Sequence, residues 1–477
     1  MKPELIIRTD GNSQIGLGHL VRCTALAHML KDDFEIKFIC RELPDYMVVD
    51  LLNFDFGFRI IEKEEEFLGR LTNKIITVLD GSHFDIDYQK KVKASGAKLV
   101  CIDDLHNKDF VADLIINHAP GISPQDYKAQ PYTQFALGNE YALLRPSFLE
   151  QAKKERKIEK TEIVLVCFGG SDFKNLTYNT LKVVLGYSQF RRIIIITGSE
   201  YKDLESLHSL LLSDKRIEHY HAINEYQMFL LFQEAELAIV PASGILLEAL
   251  ASKCIIISGI YVENQKFIYS SYRQANCIID AFDFSQSSLK EAIEQSFSVK
   301  HNGQKIIDGN SDKRLLKIFL QLEFKGQLKL RRANDTDIKI TYKWATDKLI
   351  RAFSFQQHEI TLSEHTNWFQ RKMKDSNCIY LIAEMGNKLI GSIRFDMNQN
   401  EALISYLVSS EFHGKGFGQV LLTNGIEYLV NNEIITTIKK IIGLVIPTNI
   451  PSVKAFERLG FIKIQENNNL KFEMNLL

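Results

Sequence analysis

The chain has 477 residues, and at about 100–200 residues per domain this makes two to four domains, with three the central expectation. Lys+Arg 58 stand against Asp+Glu 59, a formal net charge of -1, so there is no bulk basic field to hold a nucleic-acid backbone or an anionic membrane. At 45% hydrophobic and 25% charged residues with 9 prolines, the composition excludes disorder and collagen-like repeats.

The opening MKPELIIRTD passes into an Ile-rich strand and lacks the regions of a signal peptide. No apolar run nears about 20 residues, so a cytoplasmic protein with no membrane span is expected. Seven cysteines, Cys23, Cys40, Cys101, Cys167, Cys254, Cys277 and Cys378, are scattered singly without a Cys-x-x-Cys pair. They read as small core residues of a reducing compartment, and no metal site is expected.

From residue 1 to about residue 325, β-rich runs alternate with helical patterns, the mark of parallel sheets with crossover helices. Strands are expected at Leu5–Arg8, Ile36–Cys40, Ile75–Asp80, Lys98–Asp103 and Leu114–Asn117, then at Glu162–Phe168, Arg192–Thr197, Leu237–Val240 and Ile255–Ser258. The charged stretch Gln151–Lys160 between the two sets suits a linker helix or hinge. Near Phe324-Lys325-Gly326 the style changes: Leu328–Arg331 reads as a strand, a helical stretch runs through Phe353, and Cys378–Glu384, Leu389–Asp396 and Ala402–Val408 read as antiparallel strands. The expected units are 1–150, 151–325 and 327–477.

The first strand runs into Thr9-Asp10-Gly11-Asn12-Ser13-Gln14-Ile15-Gly16-Leu17-Gly18-His19 and an amphipathic helix, Leu20–Leu30. A glycine turn between strand and helix exposes N–H groups at the positive end of the helix dipole, where an anion is stabilised. His19, facing the crevice at the carboxyl end of the sheet, is suited to general-base work. The same turn also serves backbone geometry alone, with His19 packing locally. It is not a dinucleotide fingerprint, because no third Gly or Ala follows at the required spacing.

In the second set, one strand ends in Gly169-Gly170-Ser171-Asp172 and another in Pro241-Ala242-Ser243-Gly244, before a helix carrying Glu248. Ser243-Gly244 offers N–H groups to a diphosphate and Glu248 offers acceptor oxygens to a ribose diol. The loop Gly259-Ile260-Tyr261-Val262-Glu263-Asn264-Gln265 follows the next strand. Taken singly, Glu248 is a solvated helix carboxylate, Asn264 a turn former and Ser171-Asp172 a helix cap; in order at the strand ends of one sheet, they converge.

These motifs resemble nucleotide-sugar enzymes of the GT-B fold, notably the N-acetylglucosaminyltransferase of peptidoglycan synthesis. More closely, Arg8-Thr9-Asp10 through His19 and Arg22, Leu137-Gly138-Asn139-Glu140-Tyr141-Ala142-Leu143-Leu144-Arg145, and Tyr261–Gln265 look like the UDP-sugar hydrolase family of pseudaminic acid synthesis. The resemblance covers about residues 1–320. It implies a pair of Rossmann-like domains and metal-free cleavage, with inversion, of UDP-2,4-diacetamido-2,4,6-trideoxy-β-L-altropyranose to UDP and the free sugar. It also implies His19 and Asn264 as catalytic residues, and Asp10, Gly16, Gly18, Gly170, Ser171, Ser243, Gly244, Glu248 and Gln265 as substrate-binding ones. One departure stands out: where the family pattern has Asp-His-Tyr, this chain reads Asp80-Gly81-Ser82-His83-Phe84, which removes a tyrosine hydroxyl from that side.

The third unit carries Ser409-Ser410-Glu411-Phe412-His413-Gly414-Lys415-Gly416-Phe417-Gly418 before a helix, Gln419–Leu429, and later Asn449, Ser452 and Ala455-Phe456-Glu457-Arg458-Leu459-Gly460-Phe461. This resembles the acetyl-CoA loop and closing segment of the α+β GNAT acetyltransferases. The resemblance implies acetyl-CoA as cosubstrate, bound by His413, Gly414, Lys415, Gly416, Phe417, Gly418 and Asn449. Trp344, Arg351 and Ile360–Phe369 look like amino-sugar N-acetyltransferases of the same pathway, which act on UDP-4-amino-4,6-dideoxy-N-acetyl-β-L-altrosamine; Trp368 also reads as core. Phe456 occupies the position where many members carry a tyrosine acid, and a phenyl ring has no proton to give. Glu401 and Ser405 are weak candidates for the base.

A bifunctional enzyme taking a UDP-sugar and acetyl-CoA is therefore expected. Two alternatives stay open: a GT-B glycosyltransferase passing the sugar to an acceptor, and a third unit that binds CoA without catalysis.

Overall fold

Runs such as Leu5-Ile6-Ile7 and Val164-Leu165-Val166 are apolar at every position, which demands cover on both faces of their sheets. The computed structural model describes residues 2–12, 16–299, 306–355, 358–431, 438–466 and 468–476, without the side chain of Asn264. Its first sheet orders the strands Gly57–Ile60, Glu35–Cys40, Glu4–Thr9, Ile76–Asp80, Lys98–Ile102, Leu114–Asn117 and Gln134–Leu137, all parallel. Leu5, Ile7, Phe38 and Val78 enter one core, and Ile6, Ile39, Leu79 and Leu99 the opposite one, as the two-residue strand period requires.

The second sheet repeats the plan with Ile217–His221, Arg192–Thr197, Ile163–Cys167, Leu237–Pro241, Ile255–Gly259 and Ile279–Asp280, again parallel. In both sheets the strand order reverses beside the first strand in sequence, and that switch point opens a crevice at the carboxyl ends. Within these two sheets four strands were not expected: Gly57–Ile60, Gln134–Leu137, Ile217–His221 and Ile279–Asp280, the four edges. An edge strand is less buried, and its side chains need not be apolar: Gly57–Ile60 is largely exposed and Ile217–His221 has no fully buried residue.

Of the stretch 151–160, only the first two residues are helical, closing the helix Pro146–Ala152. The connections exchange cover. Phe148, Leu149 and Ala152 of that helix enter the core of the second sheet, whereas Leu315, Phe319 and Leu322 of the helix Ser311–Gln327 return to the core of the first.

The third sheet orders Lys329–Arg332, Cys378–Met385, Lys388–Asn398, Glu401–Val408, Lys440–Val445, Asn469–Asn475 and Ile462–Glu466. It is antiparallel except between Glu401–Val408 and Lys440–Val445. That parallel pairing runs from Glu401↔Lys440 to Ile404↔Gly443 and stops, so Ser405–Val408 part from the neighbouring strand and leave a V-shaped cleft.

A buried ion cluster joins the third sheet's layer to the first. Lys325, on Ser311–Gln327, pairs with Asp113 and lies 2.8 Å from Glu427 of the helix Phe417–Val430. Lys93 meets the same two carboxylates at 2.8 and 3.4 Å. Six of the seven cysteines are buried, and Cys277 is half-buried. No helix of the described residues is long and apolar enough to cross a membrane.

Candidate active sites

The helix Gly18–Leu30 buries Leu20, Cys23, Ala27 and Leu30, spacings that turn one face to the core and leave His19 and Arg22 toward the crevice. His19 Nδ1 is 2.7 Å from Asp80 Oδ1. Asp80 is the last residue of the strand Ile76–Asp80, which neighbours Glu4–Thr9 across the switch point. Arg22 clamps the same carboxylate with Nε and Nη2, each at 2.6 Å, and reaches Asp104 Oδ1 with Nη1 at 2.6 Å. Burial alone would raise the Asp80 carboxyl, but Arg22 and then His19 hold it well below the usual carboxylate range. Nδ1 also has Arg22 Nη2 at 3.2 Å, but the shorter contact is to the charged acceptor, which favours the imidazole proton on Nδ1 and leaves Nε2 as the basic nitrogen. The side chain of His19 keeps 19% exposure while Asp80 has none, so the imidazole is open and its anchor is dry. Buried behind them, His118 is pushed down to about 4 by desolvation and by Arg22; it is neutral at neutral pH.

Gly16 bridges back to Asn12, and Gly18 begins the helix; Ser13, Gln14 and Ile15 lie outside the described residues. Asp10 is buried, pairs with Arg8 at 2.8 Å and accepts from the backbone N–H groups of Arg41 and Glu42 at 2.6 and 3.2 Å. It ties down the loop after the second strand. Where the family pattern has a tyrosine, Phe84 is core, with the Arg8 guanidinium 5.3 Å from its ring centroid, while His83 Nε2 faces Asp10 at 3.7 Å.

The second sheet's loops close the crevice. A Cβ on Gly170 would fall 2.7 Å from Leu17 Cδ1, so the absence of a side chain lets the two glycine loops meet. His106, after Lys98–Ile102, packs on Phe267 with ring centroids 4.5 Å apart. Ser171 is half-buried in the turn, and Asp172 accepts from the Leu176 and Thr177 N–H groups, each at 2.8 Å, capping the next helix. Ser243 precedes the helix Gly244–Ala251. Glu248, one turn in, is buried and held at Oε1 by Nε and Nη2 of Arg145, both at 2.7 Å. Burial raises its carboxyl, with Arg145 opposing. Gln265 is buried and its Oε1 accepts from the Tyr261 N–H at 3.0 Å, bracing the loop. The backbone of Asn264 lies in the turn Glu263–Gln265, and its side chain is outside the described residues.

In the third unit, Gly414 and Gly416 have φ +76 and +84, and Gly416 precedes the helix Phe417–Val430. A Cβ on Gly416 would also meet Gln321 Nε2 at 2.6 Å. The loop thus sets two left-handed glycines at the start of a 14-residue helix, with the N–H groups of His413 and Lys415 donating to Ser410 O and Phe412 O at 3.2 and 3.4 Å. Phe417 contributes backbone only, because its ring is buried against Phe324 and Phe412. His413 Nε2 is 2.9 Å from Val408 O, and Lys415 Nζ donates to Glu411 O at 3.1 Å. Asn449 caps the helix Ile450–Arg458 by accepting from the Ser452 N–H at 3.3 Å. Ser405, named above as a base, takes a hydrogen bond from Arg394 at 3.3 Å. Trp368 borders the core holding Trp344 and Phe369. No group of three metal-ligating side chains occurs among the described residues.

Sequence reasoning named neither Asp80 as the partner of His19 nor Asp104 as that of Arg22, and gave no role to Arg145 or Tyr406. The available signal was positional: Asp80 ends the strand that a switch-point topology sets beside the glycine loop.

The architecture is thus a GT-B-type pair of Rossmann-like sheets followed by an α+β GNAT acetyltransferase domain. Residues 327–462 match the Acetyltransferase (GNAT) domain family. An uncharacterized protein of Methanocaldococcus jannaschii is 24% identical over 494 residues, covering 99% of this chain and 100% of its own. Residues of the first two sheets are similar to the UDP-2,4-diacetamido-2,4,6-trideoxy-beta-L-altropyranose hydrolase of Campylobacter jejuni, 27% identical over 272 residues, 55% of this chain and 93% of that protein. The spore coat polysaccharide biosynthesis protein SpsG of Bacillus subtilis is 24% identical over 343 residues, 66% of this chain and 97% of its own.

Proposed function

We propose that the chain carries out two consecutive reactions on one nucleotide sugar. The acetyltransferase domain N-acetylates the 4-amino group of UDP-4-amino-4,6-dideoxy-N-acetyl-β-L-altrosamine with acetyl-CoA. The GT-B-type pair then hydrolyses UDP-2,4-diacetamido-2,4,6-trideoxy-β-L-altropyranose to UDP and the free sugar. The units responsible are 1–150 and 151–325 for hydrolysis and 327–477 for acetylation.

The observation that carries the hydrolytic half is the His19–Asp80 contact at 2.7 Å, braced by Arg22. His19 Nε2 takes a proton from water as the oxygen attacks the anomeric carbon opposite the diphosphate, while Asp80 stabilises the imidazolium that forms. UDP is already a good leaving group, so its departing charge needs only hydrogen-bond donors and a helix dipole, offered by the Gly244 N–H, the Ser243 hydroxyl and the start of Gly244–Ala251, while the Ser243 N–H donates to Pro241 O at 2.8 Å. Arg145 occupies Oε1 of Glu248, and Oε2 is the oxygen offered to a ribose hydroxyl. Gly16, Gly18, Gly170, Ser171 and Gln265 shape the walls around the sugar and diphosphate, and Asn264 positions the sugar with its amide.

For acetylation, the loop His413–Gly418 cradles the pyrophosphate of acetyl-CoA, and the cleft beyond Ile404↔Gly443 admits the pantetheine arm, whose amides meet the edge of Ser405–Val408 that is not paired with Lys388–Asn398 and the Asn449 side chain.

The test is to incubate purified protein with UDP-4-amino-4,6-dideoxy-N-acetyl-β-L-altrosamine, with and without acetyl-CoA, and follow products by mass spectrometry and NMR. Acetylation that requires acetyl-CoA, followed by UDP release with an inverted free sugar, is the expected result. UDP release only when a second sugar is supplied as acceptor would make the GT-B pair a glycosyltransferase instead.

A further inference from the structure

Phe456 stands where a phenol is usual, and its surroundings show that it does not serve the cleft. Its ring is buried at 2% exposure, stacked on Phe472 at 5.1 Å and edge-on to Phe461 at 4.9 Å, and a Cβ on Gly443 would collide with it. It is a core residue beneath the strand Lys440–Val445.

A phenol enters the same niche from the opposite strand. Tyr406 lies two residues past Ile404, the last residue paired with Lys440–Val445, so it belongs to the segment that parts to form the cleft. Its ring meets Phe456 edge-on at 6.2 Å, and its hydroxyl is 2.9 Å from Ser452 Oγ on the helix Ile450–Arg458. The Tyr406–Ser452 contact therefore ties the strand segment that parts from Lys440–Val445 to the helix Ile450–Arg458. Tyr406 also borders the pyrophosphate loop, since a Cβ on Gly418 would lie 3.7 Å from its Cε2. The ring is half-buried, not sealed.

We infer that Tyr406 is the proton donor to the departing thiolate in acetyl transfer, held and re-protonated by Ser452, in place of the acid missing at Phe456. This rests on the acetyl-transfer function proposed above. As the acceptor amine forms its N–C bond to the acetyl carbon, the C–S bond breaks and its electron pair passes to sulfur, which takes the Tyr406 hydroxyl proton to become the thiol. The nitrogen loses its extra proton to solvent, and the phenolate regains one from Ser452, itself re-protonated by water. Burial, with Ser452 opposing, pushes the phenol up to about 12, so it carries its proton throughout the physiological range.

The test uses the full chain. Acetyl transfer to the 4-amino UDP-sugar is measured as thiol release across pH, alongside thiol release from acetyl-CoA with water as acceptor, which reads the same C–S cleavage without the amine. Tyr406→Phe should lower kcat by about 100-fold with acetyl-CoA affinity by calorimetry unchanged. Replacing Tyr406 with 3-fluorotyrosine should keep turnover and move the basic limb of the pH profile downward. Phe456→Tyr should give no gain. Tyr406→Phe with wild-type kcat and pH profile, or Ser452→Ala crippling turnover while Tyr406→Phe does not, overturns the assignment. Wild-type thiol release with water but none with the amino sugar would refute the substrate proposed above and leave Tyr406 standing on its own variants. No thiol release with either acceptor would refute both.

Discussion

Around His19 the geometry is fixed by charge: His19, Arg22, Asp80 and Asp104 are linked by contacts of 2.6 to 2.7 Å between three separate elements. Around Gly416 it is fixed by backbone: two left-handed glycines, a helix start, a strand that parts from its neighbour, and one hydroxyl pair tying that strand to a helix. In the first region the nitrogen proposed as the base is oriented before any substrate arrives, so the polar work of the proposed transition state is done in advance. The second is a shape whose side-chain polar groups, on His413, Lys415 and Asn449, already have partners within the protein, so what it offers a ligand is backbone and shape. Damage to the first should therefore appear in turnover, and damage to the glycine loop of the second in binding.

The largest effect is expected from Gly416→Asp. Its side chain would meet Gln321, its backbone would be strained at φ +84, and its carboxylate would stand where a pyrophosphate is proposed to bind, so acetyl-CoA binding by calorimetry should be lost. UDP-sugar hydrolysis should survive, because the His19 crevice is built from a different sheet; loss of both activities would break the contrast. Next in size, Asp80→Asn keeps the shape but removes the charged acceptor on Nδ1. The amide can donate to Nδ1 and leave the proton on Nε2, the wrong tautomer for a base, so hydrolysis should fall by about 100-fold while UDP affinity stays unchanged. An equal loss of UDP affinity would mean that Asp80 acts in binding.

The smallest effect concerns the contact that joins the two regions. Burial would raise Asp113 and Glu427, but Lys325 and Lys93 hold both below the ordinary carboxylate range. A depressed carboxyl stabilises the fold above its unfolded value of about 4 and loses that contribution as the pH falls through the lower folded value. The interface should therefore hold at pH 5 and open only in stronger acid. Lys325→Met should raise both carboxyls and move the acid midpoint, followed by near-ultraviolet circular dichroism, upward. An unchanged midpoint would remove the cluster from any part in docking.

The contrast also explains what could be read from the chain. Glycine loops are local: Gly16-x-Gly18 and Gly414-x-Gly416-x-Gly418 announce strand-to-helix turns within a few residues, and the central strands announce themselves by apolar runs. The four unexpected strands of the parallel sheets are all edges, where one side is free and the pattern weakens. Charge networks are distant in sequence. Asp80 stands 61 positions from His19, Glu248 is 103 from Arg145, and Ser452 is 46 from Tyr406. Which carboxylate meets which cation follows from the order of strands in the sheet, and no spacing rule supplies it. Phe456, on the helix Ile450–Arg458, shows the reverse case: the missing phenol was legible, whereas the one proposed in its place, on the strand Glu401–Val408, was not.

The most direct measurement uses His19→Ala with UDP-4-amino-4,6-dideoxy-N-acetyl-β-L-altrosamine and acetyl-CoA, with the sugar nucleotides resolved by mass spectrometry over time. If two separate sites act in sequence on one chain, the acetylated UDP-sugar should form at the wild-type rate and accumulate, with UDP release slowed by about two orders of magnitude. UDP released at the wild-type rate would contradict His19 as the base, and failure to acetylate would contradict two independent sites on one chain.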